Sequence, residues 1–192
     1  MLKLLAITPL LSRSGSEISL LNLLEAITGD FDITIFTPNK IPGLKSEISK
    51  EIKLIFPAKL NDGKEIFNRI YWKVRKPFQP ITLIEKLAGR QGWDVILLNT
   101  FLSISYFDYA RSKAKIVVLY VHETELFLSG VDRKKIEQII ENADLILCSS
   151  NYVKNYLMIL GRKNDIEVLY PSLDFTKFSL PLGSNGIRES LG

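Results

Sequence analysis

The residues best suited to chemistry in this chain are its single histidine and the adjacent carboxylate, His122 and Glu123, which follow the apolar run IVVLYV. An imidazole can hydrogen-bond a substrate hydroxyl, and a carboxylate beside it can orient one. The alternative interpretation is structural, because a lone histidine can also lie in an ordinary loop and a glutamate can be a solvated surface charge. The residue types alone leave both interpretations open.

A second candidate is the serine-rich turn SRSGSE, residues 12–17, which leads into a strongly apolar helical pattern. One interpretation is a capping box, in which Ser14 and Glu17 satisfy each other's backbone N–H groups. The other is a ligand site, because a glycine-bearing turn at a helix N-terminus presents free N–H groups to a phosphate or a sugar hydroxyl. Taken alone, the turn favours the cap.

The sequence has few residues or motifs for thiol chemistry, metal binding or the common nucleotide-binding loops. The only cysteine, Cys148, lies in the apolar run LILCSS, where a buried and inert thiol is expected. Without close Cys/His pairing we expect no zinc site, while a carboxylate-bound magnesium stays open. The chain contains neither the dinucleotide fingerprint G-x-G-x-x-G nor a Walker A sequence, which argues against a nicotinamide dehydrogenase and a P-loop NTPase.

The elements that must position these residues are seven short apolar runs separated by helical patterns. The runs are LKLLAIT, DITIFT, IKLIF, DVILLN, KIVVLYV, DLILCS and IEVLY. Continuous apolar runs are typical of strands buried on both faces of a parallel sheet. The alternation predicts a doubly wound α/β fold, with a mostly parallel sheet and helices on both faces.

In such a fold ligands collect at the carboxyl ends of the strands. The residues predicted there are Thr8 to Glu17, Thr37 to Lys40, Asn99 and Thr100, His122 to Thr124, and Ser149 to Asn151. Ser149 and Ser150 have two interpretations, since they can line a cleft or cap the helix that begins near Asn151.

The net charge of +4 is compatible with an anionic partner or with solubility alone. Its most distinctive stretch, Lys64 to Phe78, interleaves cations with aromatic rings. A solvated helix face is the commonest explanation of this pattern, an anionic membrane surface ranks second, and single-stranded nucleic acid ranks third. No run approaches the roughly 20 apolar residues that cross a bilayer, so we expect a cytoplasmic protein that contacts at most the inner membrane face.

The order of the elements and their closing phrases carries more information than any single motif. A first strand is followed by SGSE and an apolar helix, then by WDVILLN, KIVVLYVHE, ADLILCSSNYVKNYLMILG and IEVLYPSLDFTKF. In the last part a helix closes at Gly161, and Phe178 follows Asp174 by four residues. This pattern resembles the N-terminal half of the group 1, or family 4, glycosyltransferases, which have the two-domain GT-B fold.

The resemblance implies an enzyme that transfers a sugar, a hexosyltransferase that retains the anomeric configuration and uses no metal or other cofactor. Its donor would be a nucleotide sugar and its acceptor a saccharide or a lipid-linked sugar. Residues 1–178 would form the acceptor-side Rossmann-like domain, and residues 179–192 the linker and the start of a donor-binding domain, so that this chain alone is expected to be inactive. The competing hypothesis is a non-catalytic α/β module whose basic face binds nucleic acid or a partner protein.

The resemblance also assigns residues. It implies that His122 faces the reacting sugars, with Glu123 beside it as the second catalytic residue. The implied contacts to donor or substrate are Gly15, Ser16, Glu17, Asn99 and Ser149.

Overall fold

The computed structural model describes residues 1–38, 43–57, 84, 85, 88, 92–128 and 133–172. Within these ranges, seven strands form a single parallel sheet. They are β1 (Leu2–Ile7), β2 (Phe31–Phe36), β3 (Lys53–Ile55), β4 (Trp93–Asn99), β5 (Ala114–Val121), β6 (Leu145–Cys148) and β7 (Ile166–Val168). Each predicted strand is confirmed.

The described helices fill the connections between strands. They are α1 (Gly15–Ala26), α2 (Phe107–Lys113), α3 (Glu125–Leu128), α4 (Arg133–Asn142) and α5 (Asn151–Ile159), with short 3-10 helices at Lys45–Glu47 and Phe101–Tyr106. No helix among the described residues has the length and apolar character needed to cross a bilayer.

The core is divided between the two faces of the sheet. Leu5 and Ile7 of β1 join one apolar cluster, which contains side chains of α2, α4 and α5. Leu4 and Ala6 point to the other face, where they join a cluster that contains the leucines of α1. Because successive residues of a strand point to opposite faces, a strand covered on both sides must be apolar throughout. This confirms the doubly wound fold predicted from the sequence.

The strand order explains where a ligand would bind. The order is β3-β2-β1-β4-β5-β6-β7, so the chain winds outward in one direction from β1 and in the other from β4. In open parallel sheets, the crevice at the carboxyl ends of the two strands where the winding reverses is the usual ligand site. Here the reversal brings the residues after β1, β4 and β5 to neighbouring positions.

Helix α5 ends in a backbone hydrogen-bond motif, which is followed directly by the buried arginine Arg162. Gly161 adopts a positive φ of 115°, and the N–H groups of Gly161 and Arg162 donate to the carbonyls of Met158 and Leu157, both at 3.1 Å. This pair of bonds is a Schellman motif, which confirms the predicted helix end at Gly161. The motif directs the Arg162 side chain toward the C-terminus of α4.

Several predictions fall on residues outside the described ranges. They are the basic aromatic segment Lys64 to Phe78, the pair Asp174 and Phe178, and the domain boundary between residues 178 and 179. These stay predictions.

Candidate active site

Three polar side chains from three strand ends form a line across the centre of the sheet. Thr8 follows β1, Asn99 ends β4 and His122 follows β5. The Asn99 Nδ2 lies 3.4 Å from Thr8 Oγ1, and Asn99 Oδ1 lies 3.2 Å from His122 Nε2. Thr8 and Asn99 are fully buried, whereas His122 is partly exposed. The line therefore runs from the core to the surface and presents His122 at its outer end.

The His122 ring is neutral at physiological pH. It packs on Tyr120, with ring centroids 4.0 Å apart. Burial lowers the pKa of His122 from its ordinary 6.5 to about 4, because the charged imidazolium loses solvation there. A neutral imidazole has one donor nitrogen and one acceptor nitrogen, so it can bind a hydroxyl without adding charge to the site.

This shift has a measurable consequence for stability. Between pH 6.5 and about 4 the unfolded chain protonates His122 while the folded chain does not, so the free energy of unfolding falls as the pH falls through this range. One pKa unit corresponds to about 1.4 kcal/mol of free energy of unfolding. Because the ring is partly solvated, the full shift is discounted, and we expect the free energy of unfolding to fall by about 2 kcal/mol between pH 7 and 4.

Urea unfolding at pH 7, 6, 5 and 4, compared with His122→Gln, measures this loss. The variant should lose less stability over the range, since it lacks the titrating group. Burial raises the pKa of Glu123 and gives it the opposite pH trend, but that group is present in both proteins and cancels in the difference. Parallel curves for the two proteins would contradict the lowered pKa.

Glu123 joins two loops. Its Oε1 accepts the N–H of Phe101 at 2.8 Å, and its Oε2 accepts the N–H of His122 at 3.1 Å. Burial raises the pKa of its carboxyl above the ordinary value, although the N–H groups of Glu123, His122 and Phe101 act in the opposite direction. The solvated carboxylate, one of the two interpretations from sequence, is therefore wrong. In this structure Glu123 ties the loop after β5 to the loop after β4.

The loop after β4 begins at a strained residue. Thr100 has φ 68° and ψ 158°, a conformation that is nearly restricted to glycine. Its N–H donates to the Tyr120 carbonyl at 2.8 Å. The next turn is held by Ser103, whose hydroxyl lies 3.1 Å from the Ile7 carbonyl and 2.5 Å from the Asn99 carbonyl. Ser103 was not predicted from the sequence, since a serine in an apolar helical stretch gives no local signal of such a contact.

The serine-rich turn differs from the predicted capping box. Ser14 is the N-cap residue of α1 but makes no side-chain bond to a backbone N–H. Its hydroxyl instead bonds the Glu17 carboxylate, which the hydroxyls of Ser12 and Ser16 also approach, at 3.4 and 3.2 Å. The Glu17 carboxylate therefore collects the hydroxyls of the turn.

Gly15 lies at the first position of α1, and a Cβ built there meets nothing within 4 Å. The fold therefore does not need glycine at this position. The side chain of the N-cap residue Ser14 does not cap the N–H groups of the first turn, so the ligand-site interpretation of Gly15 and Ser16 stays open.

The two serines after β6 have different roles. Ser150 is the N-cap of α5 and its Oγ accepts the Val153 N–H at 3.3 Å, which confirms the capping interpretation for this residue. Ser149 is partly exposed at the strand end, where its N–H donates to the Val121 carbonyl. Cys148 is buried, and burial raises the pKa of its thiol to about 11, so it is unreactive as expected.

Comparison with known proteins identifies the family. The model of glycosyltransferase family 4 matches residues 13–177. No curated protein sequence matches the chain significantly.

Solved structures agree with the family. Anabaena HepE in complex with UDP and glucose superposes with a TM-score of 0.61 at 13% identity, over 100% of this chain and 50% of the HepE chain. A second HepE structure, in complex with UDP-glucose, gives 0.60 at 14% identity, again over 100% and 50%. Sucrose-phosphate synthase from Thermosynechococcus elongatus gives 0.57 at 15% identity, over 99% of both chains.

This chain thus spans about half the length of HepE. At these identities the superpositions establish the fold, which is that of a Rossmann-like domain of the GT-B glycosyltransferases. Because the family model covers most of the chain, the protein belongs to glycosyltransferase family 4.

Proposed function

We propose that this chain is the acceptor-side half of a retaining, metal-independent hexosyltransferase, which moves a sugar from a nucleotide-sugar donor to a saccharide or lipid-linked acceptor. The observation that carries the proposal is the line Thr8, Asn99 and His122, which ends in a neutral imidazole at the carboxyl ends of β1, β4 and β5. This is the ligand-binding edge of a parallel sheet, in a domain of a sugar-transferring family.

The roles of the individual residues follow from their surroundings. His122 hydrogen-bonds a hydroxyl of the donor sugar or of the acceptor, and it holds that group in place while the bond to the leaving diphosphate breaks. Glu123 fixes the backbone of His122 and acts through it, since both of its oxygens accept backbone N–H groups. Ser149 borders the same edge one strand further along the sheet.

The first turn of α1 supplies the second element of the proposal. The Ser14 side chain makes no bond to the N–H groups of Gly15 and Ser16, which lie at the positive end of the helix dipole. They meet the donor diphosphate or a sugar hydroxyl, with Glu17 holding the serines of the turn by its carboxylate. A separate donor-binding domain supplies the remaining nucleotide contacts. The proposal also includes a contact between Lys64 to Phe78 and an anionic membrane surface. Its support is the pattern of cations and aromatic rings in the sequence of that segment.

The division of labour predicts weak donor binding by this chain alone. Isothermal titration of UDP-glucose, GDP-mannose and UDP-N-acetylglucosamine into the 192-residue chain should give dissociation constants weaker than about 100 μM, equivalent to less than about 5.5 kcal/mol of binding free energy. Product formation should require the donor-binding domain.

Gly15→Ala is the matched control for this titration. The added methyl group meets no protein atom within 4 Å, so the fold should be retained, but the methyl would crowd a ligand on the first turn of α1. Any weak binding heat that the unmodified chain gives with a nucleotide sugar should therefore be smaller in Gly15→Ala. Submicromolar affinity of the unmodified chain for a nucleotide sugar would refute the proposed division between the two domains.

A further inference from the structure

The hydrogen bonds that lead to His122 have a direction that the chain itself fixes. The Leu10 carbonyl can only accept, so the Thr8 hydroxyl, 2.6 Å away, must give its proton to that oxygen. Thr8 Oγ1 is then left as an acceptor and must meet the NH2 group of Asn99, at 3.4 Å. The amide of Asn99 is oriented by this contact, with its oxygen toward His122.

The same logic assigns the proton on the imidazole. Since Asn99 Oδ1 can only accept, His122 Nε2, 3.2 Å away, must carry a hydrogen. In a neutral imidazole the other nitrogen, Nδ1, is then the acceptor. We infer that Asn99 and Thr8 are positioning residues that hold His122 as the Nε2–H tautomer, so that Nδ1 accepts a hydrogen bond from a substrate hydroxyl.

Burial protects this arrangement from water. Thr8 and Asn99 are both 0% exposed, so no solvent competes with their bonds. Asn99 also lies beneath the histidine, with its amide engaged at both ends. We therefore assign Asn99 an indirect role, through His122, where the resemblance implied a direct contact with donor or substrate.

The inference deepens the proposed function and rests on it for the identity of the ligand. A neutral acceptor nitrogen selects a group that donates a hydrogen bond, such as a sugar hydroxyl. It offers nothing to a carboxylate or a phosphate, which can only accept when ionised. The substrate group that faces Nδ1 of His122 is thus a hydrogen-bond donor, which for a sugar is most simply a hydroxyl.

The tautomer can be read directly, because His122 is the only histidine of the chain. A long-range 1H–15N correlation spectrum of the 15N-labelled chain at pH 7.5 shows one imidazole and needs no assignment. We expect the pattern of a protonated Nε2 and an unprotonated Nδ1. The opposite pattern, or two averaged nitrogen shifts, would overturn the inference.

Variants test whether the hydrogen-bond relay from Thr8 through Asn99 to His122 sets the tautomer. Thr8→Val removes the acceptor that orients Asn99, so the amide can rotate and the two nitrogen shifts should move toward each other, whereas Thr8→Ser should restore the original pattern. The matched control is Thr34→Val, at another buried threonine, which lies within β2 and should leave the pattern unchanged. An unchanged pattern in Thr8→Val would show that Thr8 does not position His122.

Asn99→Asp provides a second test if Thr8→Val fails to fold. The carboxylate still accepts from Nε2, and its charge stabilises the imidazolium, so the pH midpoint of the His122 resonances should rise. A midpoint that stays in place would contradict the contact between the two side chains.

The spectra do not depend on sugar transfer, which separates the two proposals. If the spectrum shows His122 protonated on Nδ1, the inferred roles of Thr8 and Asn99 are wrong, whereas the proposed function is unaffected. Failure of the two-domain enzyme to transfer any sugar, with the tautomer as expected, contradicts the proposed function instead. In an active enzyme, Thr8→Val should lower kcat by about tenfold and Thr8→Ser should recover it, the effect of about one misplaced hydrogen bond.

Discussion

Replacing His122 with alanine in the proposed two-domain enzyme should lower turnover by about 10²–10³-fold, the usual cost of removing one preorganised transition-state contact. The neutral imidazole is held by Asn99 Oδ1, which lies 3.2 Å from its Nε2, and by Tyr120, which packs on its ring, while Glu123 accepts the backbone N–H of His122. A group fixed in this way does not have to reorganise when a substrate hydroxyl binds.

The effect on stability should be small by comparison. Loss of the Asn99 bond and of the Tyr120 contact should cost about 1–2 kcal/mol in the free energy of unfolding. Steady-state kinetics and thermal unfolding of the same preparation separate the two effects. A variant with near-normal turnover that melts several degrees lower would make His122 a structural residue.

Arg162→Ala should lower the free energy of unfolding by about 3–5 kcal/mol, because it leaves several buried carbonyls without a donor, at a cost of about 1–3 kcal/mol each. Arg162 is only 8% exposed. Its Nη1 donates to the carbonyls of Ile140 and Ala143, both at 2.8 Å, and its Nη2 donates to those of Asp144 and Asp165, both at 3.2 Å. The guanidinium thus satisfies carbonyls at the end of α4 and links them to the entry of β7.

Two comparisons make the arginine test specific. Arg162→Lys keeps the charge but loses the planar fork of donors. Its free energy of unfolding should therefore lie between those of the native protein and the alanine variant. Arg133→Ala removes an exposed arginine of α4, which pairs with Glu137, and should cost about 0.5 kcal/mol or less. Urea unfolding provides all three values. A loss below about 1 kcal/mol for Arg162→Ala would show that water replaces the guanidinium at these carbonyls.

The sequence alone was sufficient for the elements and the fold class. Seven apolar runs marked seven strands because a strand that is covered by helices on both faces has no polar face to interrupt its run. The position of His122 followed for the same reason. The residue after a buried strand lies at the edge of the sheet, where this fold class binds ligands.

The family could also be anticipated, because the order of strands, helices and their closing phrases is itself a linear pattern. The matched residues, 13–177, include all but the first residue of the serine-rich turn, the strand before His122 and the helix that ends at Gly161. A family signal of this kind needs no knowledge of contacts between distant parts of the chain.

The contacts that give each site residue its role were decided by the tertiary structure. Thr8 and Asn99 are 91 positions apart, and Glu123 lies 22 positions from the Phe101 N–H that it accepts. Periodicity and propensity report on neighbours in the sequence, so they cannot identify the partner of a polar side chain in another strand. The strand order brings these partners together.

The bonds made and the conformations adopted within single turns were equally hidden in the sequence. The spacing of Ser14 and Glu17 suits a capping box, yet the Ser14 hydroxyl bonds the Glu17 carboxylate instead. Thr100 adopts a glycine-like conformation that no threonine prefers, held there by the Tyr120 carbonyl of the neighbouring strand. The sequence thus determined which elements form and which strand ends carry polar residues. Only the packed sheet decided which atoms these residues meet, because the free energy of each bond depends on burial and on partners distant in the chain.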